Sequence, residues 1–160
     1  MVDTADAIGL STAVLADLAR RAAGQMGGLR RRMGGSTELR SGVRLALSAD
    51  HEVWLLCWPP GSSVAPHDHG PSAGAFVVLS GRLTELRWAA GERHERAVEA
   101  GQIVEIPRGA VHDVVAVDGP AYSVHAYSPP LQTMSFYGDD GETVLRTEIV
   151  EDTPAEFVAS

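Results

Sequence analysis

Cysteine occurs once in the 160 residues, at position 57. No disulfide can form within the chain, and the composition suits a reducing compartment. No run of about 18 apolar residues occurs, which excludes a transmembrane helix. Positive charge is also scarce: 13 Lys and Arg against 21 Asp and Glu give a net charge of −8. That balance argues against nucleic acid or an anionic membrane as partner, since both require a basic face. Asp3 and Asp6 stand where a secretory leader would carry Lys or Arg, so a cytoplasmic location is expected. Internal repeats and low-complexity segments are lacking. What the chain does have is 44% hydrophobic residues, 17 glycines and 9 prolines. Many short elements joined by turns, in one domain spanning 1–160, are the expectation.

Residues 4–24 show helical spacing of Val14, Leu15, Leu18 and Ala22, with Asp17, Arg20 and Arg21 on the other side and Gly24 as a stop. Such a helix is expected to pack outside a β-barrel. A glycine-bracketed patch, Arg30-Arg31-Arg32, then reads as a solvated connection, completing an N-terminal segment over 1–35. From Gly42 the helical period gives way to strand patterns over 44–47, 52–58, 75–79, 82–88, 93–98, 102–106, 111–117, 122–127, 133–137 and 143–150. In the second of these both faces are apolar, so it is expected to be covered on both sides. Many short strands with this spacing indicate an all-β sandwich or jelly-roll barrel, over 40–150.

Two stretches carry the chemistry. The first is Gly61-Ser-Ser-Val-Ala-Pro-His67-Asp-His69, followed by Gly81; the second is Gly101-Gln-Ile-Val-Glu-Ile-Pro107-Arg-Gly109-Ala-Val-His112. Two histidines one residue apart on an extended segment project to the same side and can share an ion. Together the stretches resemble the two-part pattern of the cupin superfamily, which implies a small β-barrel and a metal. Many cupins place a glutamate a few residues after His-x-His, where Gly74 stands here. The expected ligands are therefore His67, His69 and His112, all neutral. Imidazole suits zinc, copper, iron or nickel, and three protein ligands leave positions open for substrate. His51 and His94, being isolated, read as ordinary hydrogen-bonded residues.

Ser123-Val-His125-Ala-Tyr127 places a hydroxyl, an imidazole and a phenol on one strand face. Together with His67-Asp-His69, Val111-His112-Asp113-Val114 and the following Ser128-Pro129-Pro130, it resembles cysteine dioxygenase, a thiol dioxygenase of the cupin superfamily. The resemblance covers roughly 40–137. It implies non-haem Fe(II) on His67, His69 and His112, oxidation of L-cysteine by dioxygen to cysteine sulfinic acid, and an outer relay of Ser123, His125 and Tyr127. It also implies an arginine for the substrate carboxylate, which falls on Arg44, or on Arg40 if the register slips. A guanidinium suits that role through its planar pair of donors. A cis peptide within Ser-Pro-Pro is a further implication. Some members carry a cysteine, five residues after His-x-His, that cross-links to the tyrosine; Gly74 forbids this, as in the bacterial type. With the arginine at Arg44, Gly42 stands two residues before it, where certain members carry an aromatic residue that shapes the substrate pocket. The expected partners are a small thiol and dioxygen, with the protein a monomer or small homo-oligomer. The competing readings are a dioxygenase of another thiol such as 3-mercaptopropionate or cysteamine, a non-catalytic metal- or ligand-binding cupin, and a cupin oxygenase of a carbon substrate. Cys57 reads as a core thiol.

Overall fold

The computed structural model describes residues 9–26, 39–151 and 153–159. The Arg30–Arg32 patch and the expected helical residues 4–8 lie outside them. Helix α1 (Thr12–Gly24) starts later than its spacing suggested, because Ser11 is extended and its Oγ accepts from Val14 N. A serine in that position satisfies one of the first-turn donors and sets the boundary. Leu15, Ala16 and Ala19 are the buried face, Leu18 and Ala22 pack beside them, and Val14 is 46% exposed. Full burial of Leu15 alone contributes about 1.5–3 kcal/mol.

Each of the ten expected strand segments is a strand: β1 (Ser41–Leu47), β2 (Glu52–Trp58), β3 (Ala73–Ser80), β4 (Arg82–Ala89), β5 (Glu92–Glu99), β6 (Ile103–Ile106), β7 (Val111–Val115), β8 (Ala121–Ser128), β9 (Thr133–Tyr137) and β10 (Val144–Ile149). An eleventh, β11 (Glu156–Val158), was not anticipated. One sheet runs β11-β1-β2-β8-β3-β6, and its strands pair antiparallel throughout. The opposite wall is made of β5-β4-β7 and β10-β9. The segment carrying His67 closes the gap between them through single bridges from Ser63 to Val115, His67 to His112 and His67 to Phe136.

Period-two alternation sorts the side chains of the long sheet into two cores. Trp54, Leu56, Trp58, Phe76, Val78 and Tyr127 belong to the inner cluster of the barrel. Val53, Leu55, Ala75, Val77, Val124 and Ala126 form the outer cluster beneath α1. All seven residues of β2 are buried, as its doubly apolar pattern required. Cys57 is a buried free thiol in this strand. Among the described residues no helix is long and apolar enough to cross a membrane.

Candidate metal centre and its cavity

His67 and His112 face one another across the bridge, each amide donating to the other's carbonyl at 2.9 Å. Residues paired in this way project their side chains to one face. His69, two residues beyond His67, returns to that face, and all three histidines are buried. The ring centroids stand 4.9 Å apart for His67 and His69, 4.7 Å for His67 and His112, and 5.1 Å for His69 and His112.

Local hydrogen bonds hold the ligand loop in place. Asp113 Oδ1 accepts from the amides of Val64 and Ala65. Asp68 turns the other way, accepting from Ser135 N and from the Tyr137 hydroxyl at 2.6 Å. Ala65 has φ 87°, a conformation costly for a residue with a Cβ. Its carbonyl accepts from His67 Nδ1 at 2.7 Å.

His112 Nδ1 donates in turn to Glu85 Oε2 at 3.0 Å. With Nδ1 as donor, the Nε2 lone pair is free for a metal. Burial holds His67 and His69 well below the ordinary imidazole pKa, with neighbouring His112 and His67 adding to the effect, so both are neutral. The Nε2 atoms of His67 and His69 are 3.2 Å apart. Two nitrogens about 2.0–2.1 Å from one ion, at angles between square and tetrahedral, stand about 2.9–3.4 Å apart. One ligand atom from each of His67, His69 and His112 falls within 4.8 Å of the others. This donor set fits a divalent transition metal with open coordination positions.

Glu85 is a buried partner of the His112 ring that the motifs did not reveal. It is buried in β4, behind His112 and outside the ligand set, and it also binds Arg87 Nη2 at 2.9 Å and Arg96 Nε at 3.0 Å. Burial works to raise its pKa, but the His112 hydrogen bond and both arginines hold it below the ordinary range. The signal was present in the alternation: Glu85 shares the inward face of β4 with Leu83, where a carboxylate needs a partner.

Ser123, His125 and Tyr127 do form a continuous line. Ser123 Oγ lies 2.8 Å from His125 Nε2, and His125 Nδ1 lies 3.2 Å from the Tyr127 hydroxyl. Trp58 supplies an unanticipated fourth member, its Nε1–H donating to Ser123 Oγ at 2.8 Å. Indole can only donate. The arrangement that satisfies every buried group has Ser123 donating to His125 Nε2 and His125 Nδ1–H donating to the phenol oxygen. Tyr127 then keeps its own proton to donate into the cavity. Burial holds His125 neutral, with its pKa lowered to about 3, and raises that of Tyr127. The Tyr127 ring stands 4.9 Å from that of His69. Gly74 pairs with Tyr127 across β3 and β8, and a Cβ there would come within 3.0 Å of the ring. The peptide between Ser128 and Pro129 is cis.

A cavity of about 430 Å³ opens in front of these groups, lined by His67, His112, His125, Tyr127, Trp54 and Arg40 among others. Two arginines line it, Arg40 and Arg146, the latter paired with Glu148 at 2.7 Å. Arg44, the first expectation, pairs with Trp54 next to a register shift in β1; its guanidinium lies over the Trp54 ring, 3.8 Å from Glu52 Oε2, and it does not line the cavity. Arg40, the alternative if the register slipped, does. Its Nε is buried without a hydrogen-bond partner, and no ion pair with it is seen among the described residues. Burial pulls its pKa below the ordinary value, while Tyr127 and Asp113 oppose this from a distance.

Solved structures with this fold include the TT1209 protein of Thermus thermophilus, at 22% identity and a TM-score of 0.55, covering 63% of this chain and 94% of that one. An oxalate oxidase in complex with glycolate matches at 23% identity and a TM-score of 0.54, covering 63% of this chain and 57% of its own length. A cupin superfamily protein from Desulfitobacterium hafniense DCB-2 matches at 13% identity and 0.50, covering 57% and 79%. These likenesses show the cupin fold. The sequence family described as cysteine dioxygenase type I matches residues 43–140, more than half of the chain and all three metal-site histidines. A cupin barrel with three converging imidazoles, matched over that length, makes this chain a member of the cysteine dioxygenase type I family.

Proposed function

We propose that the protein oxidises a small thiol bearing a carboxylate, with L-cysteine as the leading substrate, to the sulfinic acid at non-haem Fe(II) held by His67, His69 and His112. The observation that carries this reading is Arg40, whose guanidinium makes no ion pair among the described residues and lines the same cavity as the neutral imidazoles and the Tyr127 line. A half-buried cation with no ion pair among the described residues favours an anionic ligand. Three uncharged ligands leave a divalent ion its full charge, which favours thiolate over thiol.

Iron, when bound, supplies the activation of dioxygen and the transfer of both its oxygen atoms to sulfur. The chain's own residues do the positioning. Arg40 fixes the carboxylate end of the substrate through charge-assisted hydrogen bonds. Tyr127, its oxygen occupied by His125 Nδ1–H, donates its proton towards the reacting sulfur and oxygen atoms. The Trp58–Ser123 bond holds His125 in the tautomer this requires. The apolar wall of Trp54, Leu56 and Val114 limits water near the oxidising centre.

3-Mercaptopropionate, which keeps the thiol and the carboxylate that Arg40 would bind and lacks only the amine, is the second reading. Cytoplasmic location and independence from nucleic acid and membranes remain part of the proposal. The test is oxygen uptake by iron-loaded protein with a panel of thiols and identification of the product. Sulfinate formed from cysteine supports the reading; no sulfinate from any small thiol would refute it.

A further inference from the structure

The groups expected to face the substrate's carboxylate lie outside the stretch that defines the family. Arg40 precedes the matched residues 43–140, and the C-terminal strand follows them. β11 pairs antiparallel with β1, placing Phe157 opposite Gly42. Hydrogen bonds bracket this short pairing: Ala159 N donates to Arg40 O and Arg44 N to Ala155 O, both at 2.7 Å. The tail strand therefore holds the backbone of Arg40 directly.

It holds the side chain as well. The Arg40 guanidinium carbon lies 5.5 Å from the centroids of both the Trp58 and Phe157 rings. Phe157 is itself seated edge-on against Trp54 at 5.6 Å. Gly42 makes this possible, since a Cβ there would collide with the Phe157 ring and come within 2.6 Å of Leu56 Cδ2. Two ring faces attract a cation without neutralising it, which orders the guanidinium and leaves its donors for a ligand.

We propose that Phe157 is a positioning residue that determines substrate class: with Trp58 it holds Arg40 at the cavity wall, so that the C-terminal strand selects thiols carrying an acidic group. This rests on the proposed role of Arg40 in binding the substrate's carboxylate.

Phe157→Leu keeps apolar bulk and strand pairing but removes the ring, Phe157→Ala removes both, and Phe157→Tyr restores a ring. Calorimetric binding of 3-mercaptopropionate and cysteamine to the metal-loaded protein under anaerobic conditions gives a readout independent of turnover. Phe157→Leu is expected to weaken 3-mercaptopropionate roughly five- to thirtyfold, as the loss of one partly desolvated cation–ring contact implies. Cysteamine, which lacks an acid, changes less than about twofold on the same reasoning. Phe157→Tyr returns the acid thiol to near wild-type affinity. In steady state the Leu variant shows the same split, raising KM for acid thiols with kcat little changed. Equal weakening of both thiols, or unchanged binding of the acid thiol in both the Leu and Ala variants, overturns the proposal. Wild-type protein that binds acid thiols in this pattern but oxidises none refutes the dioxygenase reading and leaves the role of Phe157 standing.

Discussion

Replacing Glu85 separates the metal site from the rest of the barrel. Its Oε2 takes the Nδ1 proton of His112 and a bond from Arg87, while Oε1 is held by Arg96. In Glu85→Gln the amide oxygen still accepts from His112, but a hydrogen bond to a charged acceptor, worth about 1.5–3 kcal/mol, becomes a neutral one worth about 0.5–1.5. The difference of about 1 kcal/mol corresponds to about fivefold weaker metal binding. Glu85→Ala removes the acceptor, frees the His112 ring to rotate or change tautomer, and should weaken binding about 10–100-fold. It also leaves Arg87 and Arg96 without their carboxylate. Because Arg96 is 51% exposed and water can replace its bond, the stability loss should fall at the lower end of the range for a broken buried pair, about 3 kcal/mol. Arg96→Ala spares the His112 bond and serves as the control, with metal affinity within about twofold of wild type because the ligand's own partner is intact. Chelator competition with Fe(II) or Co(II) measures affinity, and thermal melts of the metal-free proteins measure stability. A folded Glu85→Ala protein with wild-type metal affinity would refute the assignment.

Tyr127→Phe removes the hydroxyl proton aimed into the cavity and should lower kcat about 10²-fold with thiol affinity little changed, as for loss of a preorganised donor; oxygen-uptake kinetics give both values, and an unaltered kcat contradicts the role. His125 has a folded pKa near 3 against an ordinary value of 6.5, so between those limits the unfolded chain binds the extra proton. Its contribution to stability is then complete above about pH 6.5 and drains as the pH falls towards 3, at up to about 1.4 kcal/mol per pH unit. Urea titrations of metal-free wild type and His125→Asn should therefore diverge in slope across that window, with His67 and His69 adding a shared slope in the same direction; identical slopes would count against a buried neutral His125. Gly74→Cys places a thiol against the Tyr127 ring edge, and iron with dioxygen should join the two covalently, detected as a linked peptide pair by mass spectrometry. Absence of the link would show that this approach is looser than the Gly74 contact indicates.

The strands and the three converging histidines were legible because they rest on local rules. The apolar run of Glu52–Trp58 and the spacings of the two glycine-histidine stretches are written in consecutive residues. What escaped the sequence depends on contacts between distant segments. β11 has three residues, two of them exposed, and its pattern is too short to register as a strand until β1 is beside it. Arg40 and Arg44 share one strand face, so only the pairing of Arg44 with Trp54 and its approach to Glu52 distinguishes them. Glu85 looked like one more polar residue in a charged strand, since neither Arg96 nor His112 is its neighbour in sequence.

The paired amides of His67 and His112 also tie the two halves of the second wall together, for the same short segment reaches Phe136 on its other side. The side chains that converge as candidate metal ligands and the backbones that share a seam are here the same residues. Loading a metal there would fasten the barrel shut, and the emptied protein is expected to loosen first along this line. A slip of one residue there would turn His112 outward and lose closure and ligand together, so the site can assemble only in a correctly registered barrel.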